Sequence, residues 1–366
     1  MSISRRKAIA LVSGGAVVAG AASVGAFAAT RRPDAALAPW AAAAHPDPRL
    51  HALGHAVLAP NPHNLQPWLA ELTPGGFRLF HDAARRLPET DPFDRQIVIG
   101  LGCFLESAAV AASVRGLEAR IDLYPEGEGG PVAEVALAEG GAADPLAPFV
   151  LDRRSCKEPF ADVALTGEEV EALSAHAMIV DAPETVEALK SLTWEAWLTE
   201  ARTPRTHRES VDLMRLGRAE IEAAPDGIDL GGPMLEALML AGVLTREAMA
   251  DPASTAFAQG EAMYREILMA TPAYASLVTA GNERADQIGA GRAWLRLNLA
   301  TTALGLALHP VSQALQEYPE MAPHHARAHE LLAPQGGTVQ MLGRLGHGPA
   351  TARTPRWPLE AKLIGA

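Results

Sequence analysis

Three short stretches hold the residues whose types and spacing could do chemistry. Ala59 to Trp68 reads APNPHNLQPW, three prolines and two asparagines around His63 and Gln66, closed by a tryptophan. A turn needs only part of that run, because Asn and Pro supply special backbone angles by themselves. The remaining polar groups are then available to face something. Asp152 to Phe160 reads DRRSCKEPF and places Arg153, Arg154, Ser155 and Lys157 in one loop ahead of a helix. Near the C-terminus, TARTPRWPLEAKL carries Arg353 and Arg356, spaced so that both can converge on one anion. Guanidinium forks and a hydroxyl suit phosphate oxygens, and two separated clusters can clamp one phosphate from two sides. A basic pair alone is ordinarily a solvated surface feature; the combination with the first stretch points to an anionic ligand.

Other chemistry-bearing residues have plainer readings. Cys103 lies in an apolar helical pattern and reads as a small buried hydrophobe. Cys156, between Arg154 and Lys157, sits where a thiolate would be favoured, but two cysteines permit at most one disulfide, so stability must come from the core. His325 and His329, with His324, could share a helix face toward a metal; a solvated helix is the better reading, and the same holds for His51 and His55. Trp194 and Trp197 read as core or lid packing, and Trp68 as a packing anchor rather than a stacking partner. No Gly-x-Gly-x-x-Gly follows a strand and no Gly-x-Ser-x-Gly elbow occurs, so neither a Rossmann unit nor a hydrolase elbow is supported.

The elements that must position these residues come in two series. Residues 47 to 58 read as a short helix stopped by Pro60, followed by strands PWLAEL and GFRLFHD joined through Thr73-Pro74-Gly75-Gly76 as a hairpin. A long helix is expected from Asp91 as N-cap and Pro92 in its first turn to a Gly116 stop, then strands ARIDLYP and PVAEVALAE, then a linker at GGAADPLAP. The second series opens with a helix capped by Thr166, a strand at MIVDAP, a mostly helical stretch over 184 to 270, a strand at AYASLVTAG, a long apolar helix from Arg284 to Leu308 and a strand at TVQMLGRLGHG. Both long helices place an Arg near the start and a small-residue stripe further on, a weak internal similarity that helical periodicity alone can also produce.

Composition limits the function classes. With 366 residues, 48% hydrophobic and 20% charged, the chain has ample material for a core, and a net charge of -12 disfavours nucleic acid and anionic lipid as partners. The N-terminus is different in kind. Arg5-Arg6-Lys7 precedes an uncharged Ala/Gly/Val run to Ala28, with Ala26-Phe27-Ala28 as a small-x-small cleavage site. Residues 1–28 resemble a twin-arginine signal, although Ala8 stands where that motif usually has Phe. Export to the periplasm or cell envelope by the twin-arginine machinery follows, with an uncleaved membrane anchor the alternative; only through this segment is membrane contact expected.

Taken together, RRSCKEPF, APNPHNLQPW, GRAWLRLNLATTALGLALHPVSQ, VQMLGRLG and TPRWPLEAKL resemble the nitroreductase superfamily of FMN-dependent oxidoreductases, and more closely its exported or actinobacterial Acg-type branch. The likeness runs from about residue 47 to the end and is least anchored over 200–260. It implies an α+β fold and FMN as cofactor, with small-molecule electron donors and acceptors; hydride would pass through the flavin to an electron-poor acceptor such as a nitroaromatic or quinone. A non-catalytic FMN-binding or storage protein is the competing reading. No protein residue need act as acid or base.

In that superfamily FMN generally lies between two subunits. Here the Gln-Pro-Trp loop occurs only early and the Arg-Arg-Ser loop only late, which implies a fused pseudo-dimer: a linker over 29–46, a first half over 47–140, and a second over 150–366 with a helical lid at 200–260. Carried over residue by residue, Arg153, Arg154, Ser155, Arg353 and Arg356 would bind the phosphate, and Lys157 would stand near flavin N1 and the C2 carbonyl. Pro60, Asn61, Asn64 and Gln66 would meet the isoalloxazine and ribityl groups, and Ser312 and Gln313 would face N5 and the C4 carbonyl. Asn61 and Pro62 replace the usual serines, so some of the hydroxyl contacts expected there cannot be made.

Overall fold

The computed structural model describes residues 30–365; the expected signal at residues 1–28 lies outside the described residues. The first series folds largely as its pattern dictates. Helix α1 (Pro48–Ala56) is capped by Asp47, whose carboxylate accepts from the Arg49 amide at 2.8 Å, with Pro48 at the position where a missing N–H costs nothing. Strands β1 (Trp68–Thr73) and β2 (Gly76–His81) pair antiparallel from Thr73 opposite Gly76, leaving Pro74 and Gly75 as the turn. The long helix α2 begins at Arg95 and runs to Ser113, not from Asp91. Asp94 holds a left-handed φ of 57° at its entry, and Asp91 caps from a distance, accepting from the Gln96 and Ile97 amides at 3.1 and 2.9 Å. Strands β3 (Leu117–Leu123) and β4 (Ala133–Glu139) complete this series.

The second series starts with α3 (Gly167–Ser174), entered through a reciprocal Thr166–Glu169 capping box, and β5 (Met178–Val180). A long insertion follows: α4 (Pro183–Arg202), α5 (Pro204–Asp212), β6 (Met214–Leu216), α6 (Gly217–Ala223), β7 (Ile228–Leu230), α7 (Pro233–Leu240), α8 (Arg246–Ala250) and α9 (Thr255–Met269), with β6 and β7 paired parallel. Then come β8 (Ala273–Thr279), α10 (Arg284–Ala303), β9 (Ala307–Pro310), α11 (Ala322–Leu332), β10 (Thr338–Gly346) and a two-residue β11 (Leu363–Ile364). The apolar run expected as helix to Leu308 turns at Gly305, whose φ of 70° suits glycine, and its last residues become β9.

The fold is α+β, and its two larger sheets repeat one plan. Strand order is β1-β2-β4-β3 in the first and β5-β8-β10-β9 in the second, every one of these pairs antiparallel, with the long helix joining the second and third strands of each series. What is a two-residue turn between β1 and β2 is the insertion between β5 and β8. The C-terminal β11 crosses back to pair parallel with β1, Ala70 opposite Leu363, so the end of the chain is tied to the first sheet.

One core joins the two series: Leu101, Phe104 and Val135 pack in the same cluster as Leu297, Leu308 and Leu345. The stretch expected as a linker is part of it, with Trp40 only 2% exposed. At its centre α2 and α10 cross at glycines. A Cβ on Gly291 would stand 1.9 Å from the Ile99 carbonyl oxygen, and one on Gly102 would stand 2.3 Å from that of Ile288. Backbone on both sides leaves nothing flexible to give way. Gly291→Ala should therefore cost about 2–3 kcal/mol or more of stability, seen as a lowered thermal midpoint. Gly289→Ala, two residues away with open space for the new methyl, should be neutral or slightly stabilising; equal effects would refute the close crossing.

Candidate anion-binding site

The stretch Ala59–Trp68 is a strained lip seated on α2. His63, Asn64 and Gln66 all adopt left-handed backbone, with φ of 48°, 54° and 53°. Each such residue costs roughly 1–2 kcal/mol unless its surroundings enforce it. They do. The Asn61 side chain donates to the Ala59 carbonyl at 3.1 Å and accepts from the Gln66 amide at 2.7 Å. Gln66 is fully buried, donating from Nε2 to the Pro225 carbonyl at 2.8 Å and accepting at Oε1 from the Trp357 amide at 2.9 Å, while Lys362 Nζ donates to its backbone carbonyl at 2.8 Å. The Gln66 carboxamide, expected to meet the flavin, is thus hydrogen-bonded within the protein at both ends. Pro60 lies half-buried beside these bonds.

Beneath the lip the two basic stretches meet. Arg153 is buried and donates to Asn298 Oδ1 and the Leu58 carbonyl, both at 3.0 Å, and Asn298 in turn donates to the Arg154 carbonyl at 3.1 Å. Buried Arg356 also reaches the Leu58 carbonyl, at 3.2 Å, and donates to Asn64 Oδ1 and Thr354 Oγ1. The chain's first and second series are thus joined at Asn64–Arg356. Trp40 lies among the cations. Its ring centroid is 4.7 Å from the Arg154 guanidinium carbon, 5.6 Å from that of Arg353 and 5.7 Å from that of Arg356, and its Nε1 donates to the Thr354 carbonyl at 2.8 Å.

The electrostatics of this group are one-sided. Burial first, then Arg153 and Arg154, push Arg356 down to about 9, and burial pushes Arg153 down to about 10. Arg154 is lowered by burial and by Arg353, with only Asp152 acting against this. Among the described residues no carboxylate forms an ion pair with any of the four. The Nε atoms of Arg154 and Arg356 are buried without a protein partner. Buried cations are ordinarily paired, so this arrangement is suited to an anion. Arg153 and Arg356 lie deep and are already held by carbonyls and amides, whereas Arg154 is half-buried, Arg353 exposed and Ser155 half-buried beside them.

The loop continues along β9, where the Cys156 amide donates to the Leu308 carbonyl at 3.1 Å. Exposed Lys157 acts on three groups from three directions. It lowers His63 of the lip, already pushed down to about 4 chiefly by burial; it lowers His309 of β9, where burial and Arg344 also act; and it opposes the burial that raises Asp229 of β7. Ser312 and Gln313 follow β9 but bond elsewhere: Ser312 Oγ reaches Met341 Sδ at 3.7 Å, and Gln313 opens a short helical turn to Leu315.

The insertion closes on this site through Asp226. Its buried carboxylate accepts from Arg85 Nη1, from Arg215 Nη2 at 2.6 Å and from Trp357 Nε1 at 2.8 Å, and the Gly227 amide donates to the Asn64 carbonyl at 3.2 Å. Burial pushes this carboxyl up, and the three hydrogen bonds outweigh it, leaving it below the usual carboxylate range.

Other candidates resolve simply. Cys103 is buried, its thiol pushed up to about 12 by burial, and Cys156 is buried against the Pro349 carbonyl at 3.7 Å. His51 and His55 are buried rather than solvated, because α1 packs that face into the core. His324 contacts Thr199 Oγ1 at 2.9 Å, His329 Nε2 accepts from the Val339 amide, and no metal-binding group of three or more ligands occurs among the described residues. Trp194 and Trp197 stack at 5.5 Å, and Trp68 packs 5.1 Å from Phe104. An open cleft of about 700 Å³ at Phe93, Tyr124 and Arg284 has its arginine paired with Glu128. The residues that sequence reasoning missed are Trp40 and Asp226, which belong to none of the quoted stretches, and Asn298, which lies within GRAWLRLNLATTALGLALHPVSQ but is not singled out there.

Comparison with known proteins gives the following. No family model matches the sequence. Two Mycobacterium tuberculosis proteins, from strains CDC 1551 / Oshkosh and H37Rv and both provisionally named NAD(P)H nitroreductases, are 26% identical to this chain over 339 residues, 83% of this chain and 90% of theirs. Among solved structures, the FMN-dependent nitroreductase NfnB of Mycobacterium smegmatis in complex with NADPH aligns at 18% identity and a TM-score of 0.38, over 59% of this chain and 96% of its own. A Bacteroides fragilis nitroreductase with bound FMN aligns at 14% identity and a TM-score of 0.33, over 57% and 91%.

Replacing Asp226 by Asn should release the insertion from the lip, with faster amide exchange over 200–260 and a loss of about 3 kcal/mol. Because the carboxyl lies below its ordinary range when folded, the wild-type clamp holds at neutral pH and weakens only as pH falls through that depressed value. Unchanged exchange in the variant would show that the clamp holds nothing.

Proposed function

We propose that this protein is an FMN-dependent oxidoreductase of the nitroreductase type, with two halves of one chain taking the place of two subunits around a single cofactor site. The observation that carries the proposal is the group of four guanidiniums, Arg153, Arg154, Arg353 and Arg356, with no acid paired to it among the described residues and two buried Nε atoms left over. A phosphate monoester complements that group in charge and in hydrogen-bond acceptors. The provisional nitroreductase names of relatives spanning 83% of the chain favour FMN as the group that carries the phosphate.

Arg154, Arg353 and Ser155 are the residues placed to hold the phosphate from the accessible side, with Arg153 and Arg356 as fixed charges beneath. Asn64 acts on Arg356, accepting its hydrogen bond, and so positions it. Lys157 is near enough to His63 and Asp229 to act on both, which puts the three on the side where the rest of the cofactor would lie, with the insertion as its cover. FMN supplies hydride transfer when bound. Lys157 adds a positive charge that favours electron-rich states of a nearby ring, and no residue is required to exchange a proton. NAD(P)H as donor and a nitroaromatic or quinone as acceptor complete the reading.

The clamp at Asp226 favours a second reading, an FMN-binding or storage protein whose insertion keeps substrates out. Anaerobic addition of NADPH to the purified protein separates the two. The enzyme should carry one FMN per chain and lose its visible flavin band; a yellow protein that does not bleach supports storage. A protein that takes up no FMN would overturn both.

A further inference from the structure

Outside the site, the most conspicuous departure from an ordinary surface is in the insertion. Gly231 to Leu244 reads GGPMLEALMLAGVL, fourteen residues with one charge. That charge is withdrawn from the surface: Glu236 is buried, pairs with Arg31 at 3.1 Å and accepts from the Arg218 amide at 3.0 Å. The apolar side chains do the opposite. Met234 is 75% and Leu240 73% exposed, and Leu238 and Val243 are exposed with them. A segment of this length is too short to span a bilayer, and its exposure rules out a core helix; an apolar face left in contact with solvent suits a partner surface or a membrane interface.

Its position supplies the second observation. The described chain begins beside α7, where Arg218 Nη1 donates to the Thr30 carbonyl at 2.8 Å next to the Arg31–Glu236 pair. Immediately before Thr30 the sequence runs uncharged from Ala8 to Ala29. The point at which this uncharged run enters the described chain is thus beside α7, on a protein whose net charge is -12. Arg31, Arg218 and Arg246 lie nearby, each paired with a carboxylate, that of Glu236, Glu222 and Glu220 respectively.

We propose that the exposed face of α7, with Met234, Leu238, Leu240 and Val243, inserts shallowly into a lipid bilayer, so that the insertion meets the membrane at the place where the N-terminal apolar run joins the folded chain. The attraction is apolar rather than electrostatic, given the net negative charge, and neutral lipid should suffice. The proposal does not depend on the flavin reading.

The test uses the full-length chain. Cys103 and Cys156 are buried, so Met234→Cys can be labelled selectively with an environment-sensitive fluorophore and mixed with phosphatidylcholine vesicles, with and without a spin-labelled lipid as quencher. The emission should shift to the blue and be quenched by the labelled lipid. Leu238→Glu, Leu240→Glu and Val243→Glu combined should weaken vesicle binding by about tenfold or more while leaving the circular dichroism unchanged. A probe that remains in water on vesicle-bound protein would overturn the proposal. So would a probe shielded before vesicles are added, which would mean that another copy or the N-terminal segment covers the face.

Discussion

Four guanidiniums gathered in one place, three of them around one indole, repel one another, and holding them there is the constraint on which the rest of the site depends. Two of them, Arg153 and Arg356, are buried with no carboxylate partner among the described residues, which is costly in any protein interior. The chain offsets part of that cost with backbone: the Leu58 carbonyl accepts from both, and the carboxamides of Asn298 and Asn64 each take one. Trp40 offers its π face to Arg154, Arg353 and Arg356 where an acid would have cancelled their charge. Carbonyls and an aromatic ring hold cations in place yet leave them net positive, as an anion site requires.

That arrangement needs residues far apart in sequence to be fixed within hydrogen-bond distance, and the repeated plan of the fold provides this. Both sheets use the same strand order, and the helices between their second and third strands cross at Gly102 and Gly291 with backbone almost in contact. β11 then returns the C-terminus to β1, which sets Arg353 and Arg356 beneath the lip. The second series has an insertion where the first has a turn, and its Asp226 ties that insertion to Arg85 and Trp357, so the covering of the site is held by the elements that build it.

Much of this was legible in the sequence because it rests on local rules. The hairpin at Pro74-Gly75, the Thr166–Glu169 capping box and the two long apolar helices follow from turn chemistry, capping and period. The two arginine stretches were legible as chemistry, since charge and spacing survive without a structure. What could not be read were residues whose role comes only from tertiary proximity. Trp40 sat in an expected linker, and its Ala-rich surroundings give no sign that three guanidiniums close around its ring. Gln66 belongs to a motif that reads as ligand-facing, yet its amide is taken up by Pro225 and Trp357, partners 159 and 291 residues away. Gly305 ended α10 before Leu308 because a left-handed turn outweighed the continuing apolar pattern.

The central claim is that the arginine group is a phosphate site, and the most direct measurement compares the binding of FMN with that of riboflavin, which lacks only the phosphate, to the wild-type protein and to Arg154→Ala. FMN should bind wild type at least about a hundredfold more tightly than riboflavin, and the substitution should remove about tenfold to a hundredfold of FMN affinity while leaving riboflavin unaffected. Equal affinity of wild type for the two ligands would contradict the account.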